Sequence, residues 1–228
     1  QLEKGPHVLD RIAAINVLRK KKGRRNVEQA LLKAATSDPF WGVRREAVSG
    51  LANLKPKQYS DELMSLSEGQ DNRVRRAIWG ALKNYKNDPD VSIFLQNIIS
   101  TDPKYYSVSD AFRALVVVDT AAARQKVDAL LNTNSHNDVI RRAAISYFGS
   151  VKNDKNYERL KELANYGGTT WDARSEAVTQ LGRYAKEKKE TVGIFVDLLD
   201  DRSRDIRRRA VRALGSHGNK EHLGHLDE

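Results

Sequence analysis

The chain has 228 residues, 39% of them hydrophobic and 31% charged, with 40 Lys and Arg against 30 Asp and Glu for a formal net charge of +10. It contains no cysteine, which excludes a disulfide framework, cysteine-ligated zinc, iron–sulfur clusters and a thiol nucleophile. No stretch nears the roughly 18 consecutive apolar residues that a membrane-spanning helix needs, so the length leaves one or two compact domains or a single elongated repeat array.

A repeat runs along the whole sequence, and it organises every element. The segment from Asp10 to Leu18 aligns with segments starting at Val43, Val74, Ser107, Ile140, Ala173 and Ile206. One column of this register reads Ala14, Ala47, Ile78, Ala111, Ala144, Ala177 and Ala210, with steps of 33, 31, 33, 33, 33 and 33. Four residues on, Leu18, Leu51, Leu82, Leu115, Phe148, Leu181 and Leu214 form a second column. Three residues before the alanines stand Arg11, Arg44, Arg75, Val108, Arg141, Arg174 and Arg207. Self-similarity at this period marks a helical-repeat architecture, in which each unit buries its apolar face against its neighbours.

Between the anchor segments lie stripes with apolar residues at helical spacing. The first is Val27, Ala30, Leu31, Ala34 and Ala35, a later one Val91, Phe94, Leu95, Ile98 and Ile99, and the last Val192, Phe195, Val196 and Leu199. Such a stripe buries one face of a helix, so each unit reads as a helical hairpin whose second helix is the anchor segment. Asp38-Pro39, Asp71, Asp138, Asp172 and Asp205 fall at the turn into that second helix, as helix-capping chemistry predicts. Gly149, Gly182 and Gly215 follow the last core residue, where a left-handed C-terminal cap is expected. No segment shows sustained two-residue alternation. The expectation is all-α: a right-handed superhelix of about seven hairpins, one solenoid over residues 1–228. Gln1 opens the chain with no apolar leader, and the chain is expected to be a C-terminal piece of a longer protein.

Three sets of residues are candidates for a role beyond packing. Arg19, Lys20, Lys21, Lys22, Arg24 and Arg25 place six cations in seven positions after the first anchor segment, and without them the net charge falls from +10 to +4. Such a run attracts phosphates through counterion release, or it is a solvated loop. Trp41, Tyr105 and Trp171 recur just ahead of alternate anchor helices, where rings staple a helix start or form stacking platforms for peptide or bases. Arg44, Arg75, Arg141, Arg174 and Arg207 read as a structural ladder between neighbouring repeats, and Trp79 as a core residue. His222 and His225 stand three apart near the C-terminus with His217 close by, but no full zinc ligand set is apparent. No catalytic, cofactor-binding or metal-ligating residue is expected in this chain: no Gly-rich phosphate loop, nucleophile elbow or carboxylate pair stands out.

The Ala, Leu and Arg columns, with Asp205-Ile206-Arg207-Arg208-Arg209-Ala210 as their most specific stretch, resemble the HEAT repeat family and its short units in particular. The tetratricopeptide pattern is not matched. Within this resemblance, Asp38-Pro39-Phe40-Trp41-Gly42-Val43-Arg44-Arg45-Glu46-Ala47-Val48 is similar to a segment in the C-terminal HEAT-like domains of bacterial gluzincin zinc aminopeptidases. That similarity implies a non-catalytic helical module that closes a peptide-accessible cavity against a preceding domain of the same polypeptide. The zinc would sit in that parent protein, in a bacterial cytoplasm or periplasm. No His-Glu-x-x-His occurs here, and Met64, the single methionine, is not in a Gly-x-Met-Glu-Asn setting. A free-standing scaffold with a protein or peptide partner on its concave face is the alternative, and nucleic-acid binding through the basic run the third.

Overall fold

The computed structural model describes residues 2, 5, 7–54 and 58–218. Among them every regular element is helical, and thirteen α-helices follow one another in chain order. They are α1 (Val8–Leu18), α2 (Arg25–Ser37), α3 (Trp41–Leu54), α4 (Ser60–Leu66), α5 (Asn72–Leu82), α6 (Pro89–Thr101) and α7 (Tyr105–Val118). Then come α8 (Thr120–Leu131), α9 (Val139–Ser150), α10 (Asp154–Ala164), α11 (Trp171–Leu181), α12 (Thr191–Asp197) and α13 (Arg204–His217). The anchor segments are the odd-numbered helices. Among the described residues five hairpins pack on themselves, α2 with α3, α4 with α5, α6 with α7, α10 with α11 and α12 with α13, and α1 is an anchor helix without a hairpin mate.

The chain divides inside α8 into two compact units, Gln1–Gln125 and Lys126–Glu228. In the first, α1, α3, α5 and α7 stack side by side, with α2 packed on α3, α4 on α5 and α6 on α7. In the second, α9, α11 and α13 stack in the same way, with α10 against α9 and α11 and α12 against α13. The repeat columns explain this layering. Every member of the alanine column is buried, and a methyl-sized side chain at the helix contact lets two helix axes approach closely. The column four residues on is buried from Leu51 to Leu214, while Leu18, in the unmated α1, is only half-buried. The stripes of the first helices are buried at Val27, Leu31 and Ala35, and at Val91, Leu95 and Ile99. Each such side chain contributes about 1.5–3 kcal/mol for Leu, Ile, Val or Phe.

Trp79 is wholly buried, and its indole Nε1 donates to Ser107 Oγ at 2.9 Å, tying α5 to α7. That satisfies the one polar atom of the largest side chain in this core, as burial requires.

Two capping expectations differ from the structure. Of the aspartates at the hairpin turns, only Asp71 makes a side-chain capping bond, accepting from the Arg73 amide; Asp138 stands at the N-cap of α9 without one, Ser203 caps α13, and Thr170 precedes α11 without a capping bond. Asp38 instead bends its turn by accepting from the Phe40 amide at 2.9 Å. Gly149 and Gly215 lie inside α9 and α13, and Gly182 has right-handed φ −55°. Left-handed glycines are found elsewhere, at Gly23, Gly69 and Gly167. Gly149 is required for a different reason: a Cβ there would stand 2.8 Å from Gln180 Cβ on the neighbouring α11. The glycine permits close helix contact, not a cap.

Candidate interaction surface

The arginine column makes two kinds of bond. Arg11 reaches Asp38 in the next repeat with two guanidinium nitrogens, at 2.7 and 3.1 Å. Arg75 pairs with Asp102 at 2.5 Å, and Arg174 grips Asp201 through Nη1 and Nη2. All three pairs span 27 residues, so each joins an anchor helix to the following hairpin turn. Arg44 meets Gln70 Oε1 at 2.9 Å, one residue short of Asp71, and it donates to the Asp38 carbonyl at 2.7 Å. Arg141 turns to Asp138, Thr170 and the Leu131 carbonyl. Arg207 donates to the carbonyls of Asp201 and Arg202. The aspartates also hold their own turns, because Asp102 accepts from the Lys104 amide and Asp201 from the Ser203 amide. One carboxylate therefore bends the turn and ties it to the preceding repeat.

These contacts shift acidities. Burial opposes ionisation of Asp102, but the Ser107 hydroxyl, the Lys104 amide and Arg75 outweigh it and hold the carboxyl below its ordinary value. At Asp201 the Arg174 hydrogen bonds are the largest cause of a lowered pKa. Asp205 is lowered furthest, by the Ser175 hydroxyl and then by Arg209 and Arg208.

Aromatic rings and guanidinium groups meet at the starts of the anchor helices. In the first unit, Arg73 on α5 lies over the Trp41 ring of α3 at 3.9 Å, and Arg45 approaches the same ring at 5.6 Å. Arg76 lies 5.0 Å from the Tyr106 ring of α7 and bonds Asp110 at 2.6 Å. The row thus runs across α3, α5 and α7. Trp41 is half-buried beneath Arg73 and beside Phe40, as packing predicts, but Tyr105 is 47% and Tyr106 43% exposed. In the second unit, Trp171 is 52% exposed, and Tyr166 carries Arg202 at 5.4 Å. Filling a groove between repeats accounts for Trp41 and not for Tyr105 or Trp171.

The basic run lies apart from this row. Arg19 to Arg24 occupy the connection between α1 and α2, and Arg25 opens α2. Among the described residues none of the six forms an ion pair, and all but Arg19 are exposed. Arg19 sits beside Gly50 in the second half of α3, away from Trp41 at that helix's start. His7 and His136 are exposed, and no cluster of three His, Asp or Glu able to hold a metal occurs among the described residues. His222 and His225 lie outside the described residues. No helix among the described residues is long and apolar enough to cross a membrane.

Arg45, Arg73, Arg76 and Tyr106 are additions to the residues singled out from sequence. Their signal is adjacency: Arg73 and Tyr106 follow by one residue the column that holds Trp41, Asn72 and Tyr105.

Helical hairpins in register, with buried alanine and leucine columns, define a HEAT-like helical-repeat fold. Residues 28–116 match the family model of HEAT repeats, and the regular elements among the described residues are all helical. No curated protein matches the chain. The solved structure of human deoxyhypusine hydroxylase in complex with glycerol is similar at 17% identity and TM-score 0.45, over 94% of this chain and 91% of that one. At that identity no residue's role carries across.

Proposed function

We propose that the chain is a non-catalytic helical-repeat scaffold that holds an acidic protein segment along the anchor-helix starts of its first unit. The observation that carries this reading is the row of Trp41, Arg45, Arg73, Arg76, Tyr105 and Tyr106 on three successive helices. Aromatic and arginine side chains are the groups that most often anchor protein interfaces, and guanidinium pairs carboxylate in fork geometry. Helical repeats supply such surfaces by stacking. Panning a random peptide library on the full chain should enrich acidic sequences, and R73A together with Y106A should lower their affinity by roughly tenfold. Enrichment that ignores these substitutions overturns the reading.

The narrower reading makes the chain the module that closes the cavity of a zinc aminopeptidase. It is supported by the Asp38–Val48 segment alone, and reading the coding sequence upstream of Gln1 tests it: a His-Glu-x-x-His segment supports it and a start codon at that point removes it. Nucleic-acid binding through Arg19–Arg25 is separated by salt, since affinity for a short DNA duplex would have to fall steeply with ionic strength.

A further inference from the structure

A cleft of about 400 Å³ opens between α11 and α13, within the second unit. Small-molecule sites are commonly of this size. Its floor includes Gly182 and Ala213, and its charged lining is Arg183, Lys186, Arg209 and Arg212, with no carboxylate among the lining residues.

Comparison with the preceding pair of anchor helices explains why it is open. Between α9 and α11, Gln180 presses on Gly149, and its amide donates to Glu176 at 2.7 Å, while Glu176 faces Arg142 at 3.6 Å. That interface is filled and carries a carboxylate. One period of 33 residues later, Gly149 becomes Gly182, Gln180 becomes Ala213, Glu176 becomes Arg209 and Thr179 becomes Arg212. The filling side chain is lost, and the carboxylate is replaced by a cation. From α13, a Cβ on Gly182 would meet only His217 Nε2, at 4.0 Å.

Two of the cations are positioned by neutral hydroxyls. Arg209 Nη1 donates to Thr179 Oγ1 at 2.7 Å, and Arg183 Nη1 to Ser150 Oγ at 3.2 Å. Arg209 Nε is held by Asp205 at 2.8 Å, a carboxylate shared with Arg208 and Ser175. Lys186 and Arg212 form no ion pair among the described residues.

We infer that the α11–α13 cleft binds a phosphomonoester. A phosphomonoester carries close to two negative charges at neutral pH and offers three acceptor oxygens, which suits a lining of four cationic side chains, and its organic group would meet Gly182 and Ala213. A carboxylate brings one charge and two oxygens, leaving more of the lining uncompensated. The site is independent of the peptide surface proposed for the first unit.

Calorimetric titration of the full chain with phenyl phosphate tests this. One equivalent should bind, and phenylacetate should bind roughly tenfold more weakly or not at all. R212A, at an exposed position, should weaken phenyl phosphate by roughly tenfold, and A213Q, which restores the filling side chain of the preceding interface, should do the same. Circular dichroism confirms that both variants fold. A phosphoserine peptide that binds much tighter than phenyl phosphate identifies a phosphorylated protein as the source, and the reverse order a small phosphorylated molecule. No binding at millimolar phenyl phosphate, equal binding of phenylacetate, or affinity unchanged in both variants overturns the inference.

Discussion

Arg174 is the residue on which the repeat-to-repeat tie is most demanding. Its side chain is 3% exposed and meets Asp201, itself 8% exposed, with Nε on the Ala164 carbonyl at 2.6 Å. Removing one partner of a buried pair leaves the other charge without compensation, at about 3–5 kcal/mol. R174A should therefore destabilise the chain by about 3 kcal/mol in a denaturant titration. R207A, which removes donations to two carbonyls and a charge near Asp201 but no direct ion pair, should cost about 1 kcal/mol. Equal effects would show that the aspartate pairing does not contribute as its burial implies. The same aspartates set the response to acid. Asp102, Asp201 and Asp205 have folded-state pKa values below ordinary, so their contribution is complete above the unfolded value of about 3.9 and is lost as pH falls through the folded values. Stability should decline from about pH 5 downward, and D201N should flatten that decline. A decline as steep in D201N as in the parent chain would contradict this assignment.

Among elements, the contact of α9 with α11 depends on Gly149. Adding a methyl there forces Gln180 Cβ, 2.8 Å away, to retreat with its helix, and overpacking of this kind costs about 1–3 kcal/mol. G149A should be destabilised by that amount, and Q180A in the same chain should recover most of it. A double variant no more stable than G149A alone would place the strain elsewhere. Much of this layering was legible in the sequence, because the alanine and leucine columns each report a burial pattern that recurs at the helical period. What was not legible is contact between residues of different repeats that do not share a column. The glycines read as caps because a glycine after a core residue is ambiguous: the local pattern does not record that Gln180 of the next repeat presses on Gly149. Likewise Tyr105 and Trp171 occupy one sequence column with Trp41, yet only Trp41 is covered, because only its neighbour supplies an Arg73. The α11–α13 cleft needed both the register and the observed filling by Gln180.

For the whole molecule, the excess charge and the fold separate. Six of the ten net positive charges belong to Arg19–Arg25, in a connection that takes part in no ion pair among the described residues. Replacing Lys20, Lys21, Lys22 and Arg24 by serine should change stability by no more than about 0.5 kcal/mol, as for other surface positions, while retention on a heparin column falls sharply. A large loss of stability would make this connection part of the core. The fold itself is held by the apolar columns and the Arg–Asp ties, while Tyr105 and Tyr106 at the start of α7 stay exposed. Amides in the first turn of a helix lack intrahelical acceptors, so those of Tyr105, Tyr106 and Ser107 should exchange readily in the free chain. Hydrogen exchange with and without a panned acidic peptide is the most direct test of the scaffold reading: slowed exchange at the start of α7 and along Arg73–Arg76 is the expected result, and protection confined to other helices would contradict it.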